Sequence, residues 1–123
     1  MSETLAKDAP LVDARIIDHV TRSIVEHFHP ERIILFGSQA RGDARRDSDL
    51  DLCVFMETSE RPVKRSIKVA SIFTLPSWPM DIVVYTPEEY EERRQIKGTF
   101  AHTIHTEGKV LYDARIPVHG LAG

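Results

Sequence analysis

The sequence predicts an α/β (α+β) fold, a small mixed β-sheet flanked by helices, and three observations lead there. Apolar runs of strand length stand at Arg32-Ile33-Ile34-Leu35-Phe36 and Asp81-Ile82-Val83-Val84-Tyr85. The segment from Asp49 to Met56 alternates, placing Leu50, Leu52, Val54 and Met56 on one face and Asp49 and Asp51 on the other. Around these runs, apolar residues recur at helical spacing and stop at proline or glycine. A chain of 123 residues is close to the commonest domain size, so residues 1–123 are expected to form one domain with its core over 11–113.

Taken in order, the first helix is expected from Leu11, with Val12, Ile16, Val20, Ile24 and Phe28 on one face. It ends at His29-Pro30, because proline disfavours helical backbone in the residue before it. Strand 32–36 follows, then a turn at Gly37-Ser38 and a short helix near Ser38 to Arg41 whose amides would face an anion. The alternating strand comes next. Pro62 suits the first turn of a helix with Val63, Ile67, Ala70 and Phe73 on one face, ended by Pro76-Ser77-Trp78-Pro79. After the strand at Asp81, Thr86-Pro87-Glu88-Glu89 reads as a capping box opening one helix to about Thr106, and Gly108 breaks to a last short strand.

Chemistry concentrates between residues 37 and 52. Gly37 and Ser38 fall where a buried strand ends; glycine lets phosphate oxygens approach the backbone and serine adds a hydroxyl donor. Asp49 and Asp51 share a strand face, roughly 7 Å apart at the backbone, so both can converge on one hard cation. A purely structural strand would more cheaply carry Thr or Lys there, since two like charges repel unless something compensates them. Magnesium suits such a pair: it takes octahedral oxygen ligands at about 2.0 to 2.1 Å and is commonly held by one or two carboxylates plus substrate phosphates. Asp81, at the edge of a neighbouring apolar strand, is the expected third carboxylate. A phosphate-sized turn joined to paired carboxylates points to nucleotidyl transfer. Arg41 is a candidate phosphate contact one helical turn beyond Ser38, ahead of Arg45 and Arg46.

The residues Gly37-Ser38, the ten-residue spacer, Asp49-x-Asp51 and Asp81 resemble the nucleotidyltransferase superfamily with the DNA polymerase beta fold, and within it the minimal nucleotidyltransferases. The order of elements from Ile16 to Asp113 follows the same pattern. The resemblance implies that Asp49, Asp51 and Asp81 hold two Mg2+ ions and that Gly37 and Ser38 position the phosphates of ATP. Asp81 would also help deprotonate an acceptor hydroxyl. It further implies a separately encoded, helical HEPN toxin as partner, with AMP added to a tyrosine of that toxin by this chain as antitoxin. Two other functions stay open: a steric antitoxin that needs no catalysis, and a transferase acting on a small molecule of the aminoglycoside type.

A net charge of −3 and a pI near 6.0 give no global attraction to nucleic acid, so small nucleotides or proteins are the expected partners. One cysteine excludes an internal disulfide, and no membrane span or signal-peptide start is visible, from which a cytoplasmic location is expected. Cys53 is expected as a small core residue, and His102 and His105 as solvated helix histidines. Trp78 is expected to pack rather than anchor a partner.

Overall fold

A computed structural model describes residues 12–74 and 78–116. Helix α1 (Ala14–Phe28) leads to β1 (Arg32–Phe36), the single turn of α2 (Ser38–Arg41), β2 (Leu50–Phe55) and α3 (Pro62–Ala70). Then come β3 (Met80–Tyr85), α4 (Pro87–Arg93), α5 (Phe100–Glu107) and β4 (Lys109–Asp113). The strands form one sheet in the order β3-β2-β1-β4. β1 is antiparallel to both β2 and β4, whereas β2 and β3 run parallel and are joined through α3, so the sheet is mixed as expected.

Strand alternation divides the interior into two layers. On one face Ile33, Leu35, Leu50, Leu52, Val54, Ile82 and Val84 pack with Val20 and Ile24 of α1 and Val69 of α3. On the other, Ile34, Phe36, Cys53, Phe55 and Tyr85 pack with Tyr90 of α4 and Ala101 and Ile104 of α5. Val20, Ile24, Leu50 and Leu52 are wholly buried, each worth about 1.5–3 kcal/mol of transfer free energy.

Helix α1 starts at Ala14, where the Asp13 carboxylate accepts from the Ile16 amide at 3.0 Å. Leu11, where its pattern begins, lies outside the described residues. It ends where His29 adopts a left-handed conformation (φ 48°) and donates its amide to the Val25 carbonyl. The capping box forms: the Thr86 hydroxyl accepts from the Glu89 amide at 3.2 Å, and the Glu89 carboxylate accepts from the Thr86 amide at 3.0 Å.

Two expectations are corrected. Of the four residues expected on one face from Pro62, Ala70 and Phe73 pack against the core, but Val63 and Ile67 point to solvent, with exposures of 72% and 62%, while Arg65 and Val69 are buried. Arg65 holds the inward position because Glu89 accepts from both terminal nitrogens of its guanidinium at 2.7 and 3.1 Å, with further bonds to the Glu60 and Val84 carbonyls. The single helix expected from Pro87 to about Thr106 is two, α4 and α5. Gly98 at φ 90° breaks it, and Thr99 recaps the second helix by accepting from the His102 amide. Of the break expected at Pro76-Ser77-Trp78-Pro79, Pro76 and Ser77 lie outside the described residues, and Trp78 packs against the core. Among the described residues, no helix is long and apolar enough to cross a membrane.

Candidate functional site

The sequence-predicted site residues meet at one end of the sheet. Antiparallel pairing puts Phe36, the last residue of β1, opposite Asp51 near the start of β2, and parallel pairing puts Asp51 beside Asp81 of β3. The Asp51 and Asp81 backbones are thus neighbours on adjacent strands, about 4.8 Å apart. Both side chains project to the face covered by α4 and α5, because Leu50, Leu52, Ile82 and Val84 take the opposite one. Asp49, one residue ahead of β2, is exposed, as is Asp81, whereas Asp51 is half-buried.

Gly37 is tied to this arrangement by shape. Its φ of 74° lies where side chains are strained, and a Cβ there would run into the Asp51 carboxylate. The turn and the aspartate therefore constrain one another. Ser38 opens α2, and its carbonyl accepts from the Gly42 and Asp43 amides.

Electrostatics set Asp51 apart. Burial, the Asp81 charge and then the Asp49 charge push its carboxyl up to about 6 from an ordinary 3.8, and Arg41 alone works in the opposite direction. This is negative charge gathered without full internal compensation, offering oxygen donors of the kind a hard divalent cation takes. Among the described residues, no three His, Cys, Asp or Glu side chains are arranged to hold a metal ion as they stand. Asp51 and Asp81 are neighbours on one face, with the Asp49 charge close enough to act on Asp51. Their oxygen donors are of the kind magnesium takes, and Asp51, with two further carboxylates beside it, gains from added positive charge.

Arg41 reaches this cluster from α2 but is also engaged elsewhere. Its guanidinium donates to Glu107 of α5 at 3.2 Å and to Asp43 at 3.3 Å. Glu107 was not visible as a neighbour from sequence, since the contact spans 66 positions and carries no local spacing signal. The lesser candidates behave as expected or acquire plain roles. Cys53 is fully buried, and burial raises its thiol well above the ordinary value, leaving it inert. His102 and His105 are not merely solvated: both meet Arg94, the first through its carbonyl at 2.8 Å and the second through its guanidinium at 3.2 Å. Arg45 and Arg46 are exposed in the turn before β2.

Comparison with known proteins identifies the family and the fold. Residues 17–105 match the nucleotidyltransferase domain family. No curated protein matches the chain by sequence. Among solved structures, a candidate nucleotidyltransferase from Sulfolobus solfataricus superposes with a TM-score of 0.58 at 19% identity, covering 82% of this chain and 80% of its own. A toxin–antitoxin complex with AMP-PNP gives 0.50 at 20% identity over 78% and 73%. The toxin–antitoxin MntA–HpeT, in a form with two aspartates exchanged for glutamate, gives 0.51 at 19% over the same shares. At these identities the likeness is one of fold. The family match spans well over half of the 123 residues and contains Gly37, Ser38 and all three aspartates, and the chain accordingly belongs to the nucleotidyltransferase domain family.

Proposed function

We propose that this chain transfers AMP from ATP to a hydroxyl group, that the hydroxyl is a tyrosine of a separate helical HEPN-type toxin, and that the modification silences the toxin. The observation that carries this reading is the register that sets Asp81 beside Asp51, with Gly37 shaped around the Asp51 carboxylate. Asp49, Asp51 and Asp81 would hold two magnesium ions. When bound, such ions supply positive charge to the phosphates and orient the reacting groups. Gly37 admits the phosphate chain close to the backbone, while the Ser38 hydroxyl and the Arg41 guanidinium donate to its oxygens. Asp81 accepts the proton of the attacking hydroxyl. A bond forms between that oxygen and the α-phosphorus, the bond to the β-phosphate oxygen breaks, and pyrophosphate leaves.

The antitoxin assignment draws support from the solved toxin–antitoxin complexes that share the fold. One is described with AMP-PNP, and another carries two exchanged aspartates spaced as Asp49 and Asp51 are here. The test is to incubate the chain with ATP, magnesium and the product of the neighbouring gene and to weigh both proteins intact. The expected result is the mass of an added AMP on the partner. Neutralisation of the partner with both masses unchanged would hand the case to steric binding.

A further inference from the structure

Helix α5 has a role at this site that the aspartate motif does not announce. Its core-facing residues, Ala101 and Ile104, are wholly buried against the sheet. Phe100, at its start, instead sets its ring edge-on against Phe36, with centroids 5.2 Å apart and planes at 89°. Phe36 is the residue in register with Asp51. At the far end of the same helix, Glu107 holds Arg41. The helix therefore spans the distance from Phe36, the register partner of Asp51, to the guanidinium beyond Ser38. Phe36 is 5% exposed but Phe100 is 46% exposed, and it is the one aromatic residue among those described that is left on the surface.

We infer that the Phe100 ring is the platform on which the base of the bound nucleotide stacks. The inference rests on the reading that this end of the sheet takes a nucleoside triphosphate with its phosphates at Gly37, Ser38 and Arg41. A triphosphate held there places its nucleoside along α5, where an open aromatic face is available and a buried one supports it from behind. Every base presents a π-face, so stacking on Phe100 gives affinity with little discrimination between adenine and guanine.

The experiment titrates magnesium ATP and magnesium tripolyphosphate, which has no base, into the parent chain, Phe100→Ala and Phe100→Trp. Loss of one stacking partner weakens ATP binding about tenfold in Phe100→Ala, leaves tripolyphosphate unchanged, and is rescued by Phe100→Trp. Unchanged ATP affinity in Phe100→Ala overturns the inference while leaving the nucleotide site standing. So does an equal loss for both ligands, which would mean that Phe100 only props Phe36 and Asp51, and so does a failure of Phe100→Trp to restore binding. A parent chain that binds neither ligand removes the nucleotide site, and the stacking role with it.

Discussion

Asp113, at the C-terminal end of β4, is only 4% exposed, yet Arg115 donates to its two carboxylate oxygens at 3.0 and 2.7 Å. At the same end of the sheet but beside its other edge, in α4 just beyond β3, Glu89 holds the buried Arg65. At the opposite end of the same sheet, Asp51 lies half-buried with Asp49 and Asp81 beside it and Arg41 as its opposing charge. The carboxyls respond in opposite directions. Arg65 holds Glu89 down to about 2, and Arg115 holds Asp113 well below the usual carboxylate range, whereas Asp51 is pushed up to about 6. Charge that serves the fold arrives with its partner already in the chain. Charge that serves a ligand is left with its compensation to be supplied from outside.

The sharpest way to break this contrast is at the aspartates. Asp49→Ala or Asp51→Ala should lower AMP transfer by about 10³-fold or more, because each removes a ligand for transition-state charge. The apo melting temperature should stay level or rise slightly, since like-charge repulsion is relieved. Equal turnover would remove the metal assignment, and a large fall in apo stability would make these residues structural. Asp81→Asn keeps side-chain size but loses the proton acceptor, so transfer should drop about 10²- to 10⁴-fold while binding to a helical partner survives. Such a variant should bind the partner without neutralising it. Full neutralisation with no added AMP would show that binding alone suffices.

At the paired end the expected effects are on stability alone. Glu89→Gln should cost about 1.5–3 kcal/mol in denaturant unfolding, because Arg65 stays buried with a weaker partner, and ATP affinity should not move. The same pair sets a pH signature. The folded carboxyl of Glu89 lies below its ordinary 4.5, so its contribution is complete above that pH and is lost as pH falls towards about 2. Acid unfolding of the parent should steepen in that window, and Glu89→Gln should flatten it; coincident profiles would contradict the pairing. The smallest effects belong to the phosphate arm. Ser38→Ala and Arg41→Ala should each weaken magnesium ATP binding about fivefold to tenfold with little change in melting temperature. Unchanged affinity in both would move phosphate recognition to Arg45 or Arg46.

What could be read from the sequence follows the same division. The strands were visible because Leu50, Leu52 and Val54 recur at every second position with Asp49 and Asp51 on the other face, and Ile33 to Phe36 is one apolar run. The aspartates stood out because two like charges share one strand face. The side of α3 that faces the core did not, because counting apolar residues favours Val63 and Ile67 over a buried arginine. Arg65 goes inward only because Glu89, 24 positions away, meets it there. The break between α4 and α5 had a signal in Gly98, whose positive φ suits only glycine cheaply. The contacts of Glu107 with Arg41 and of Phe100 with Phe36 have no spacing to read.

The parallel register of β2 and β3 carries one more consequence, for quality control. A slip of β3 by a single residue would turn Asp81 towards α1 and α3 and bring Ile82 and Val84 out beside Asp51. The core and the acid cluster would be lost in one move. A mispaired chain is then both inactive and poorly packed, which exposes it to proteolysis. Molecules that survive in the cell are the ones whose three aspartates are aligned.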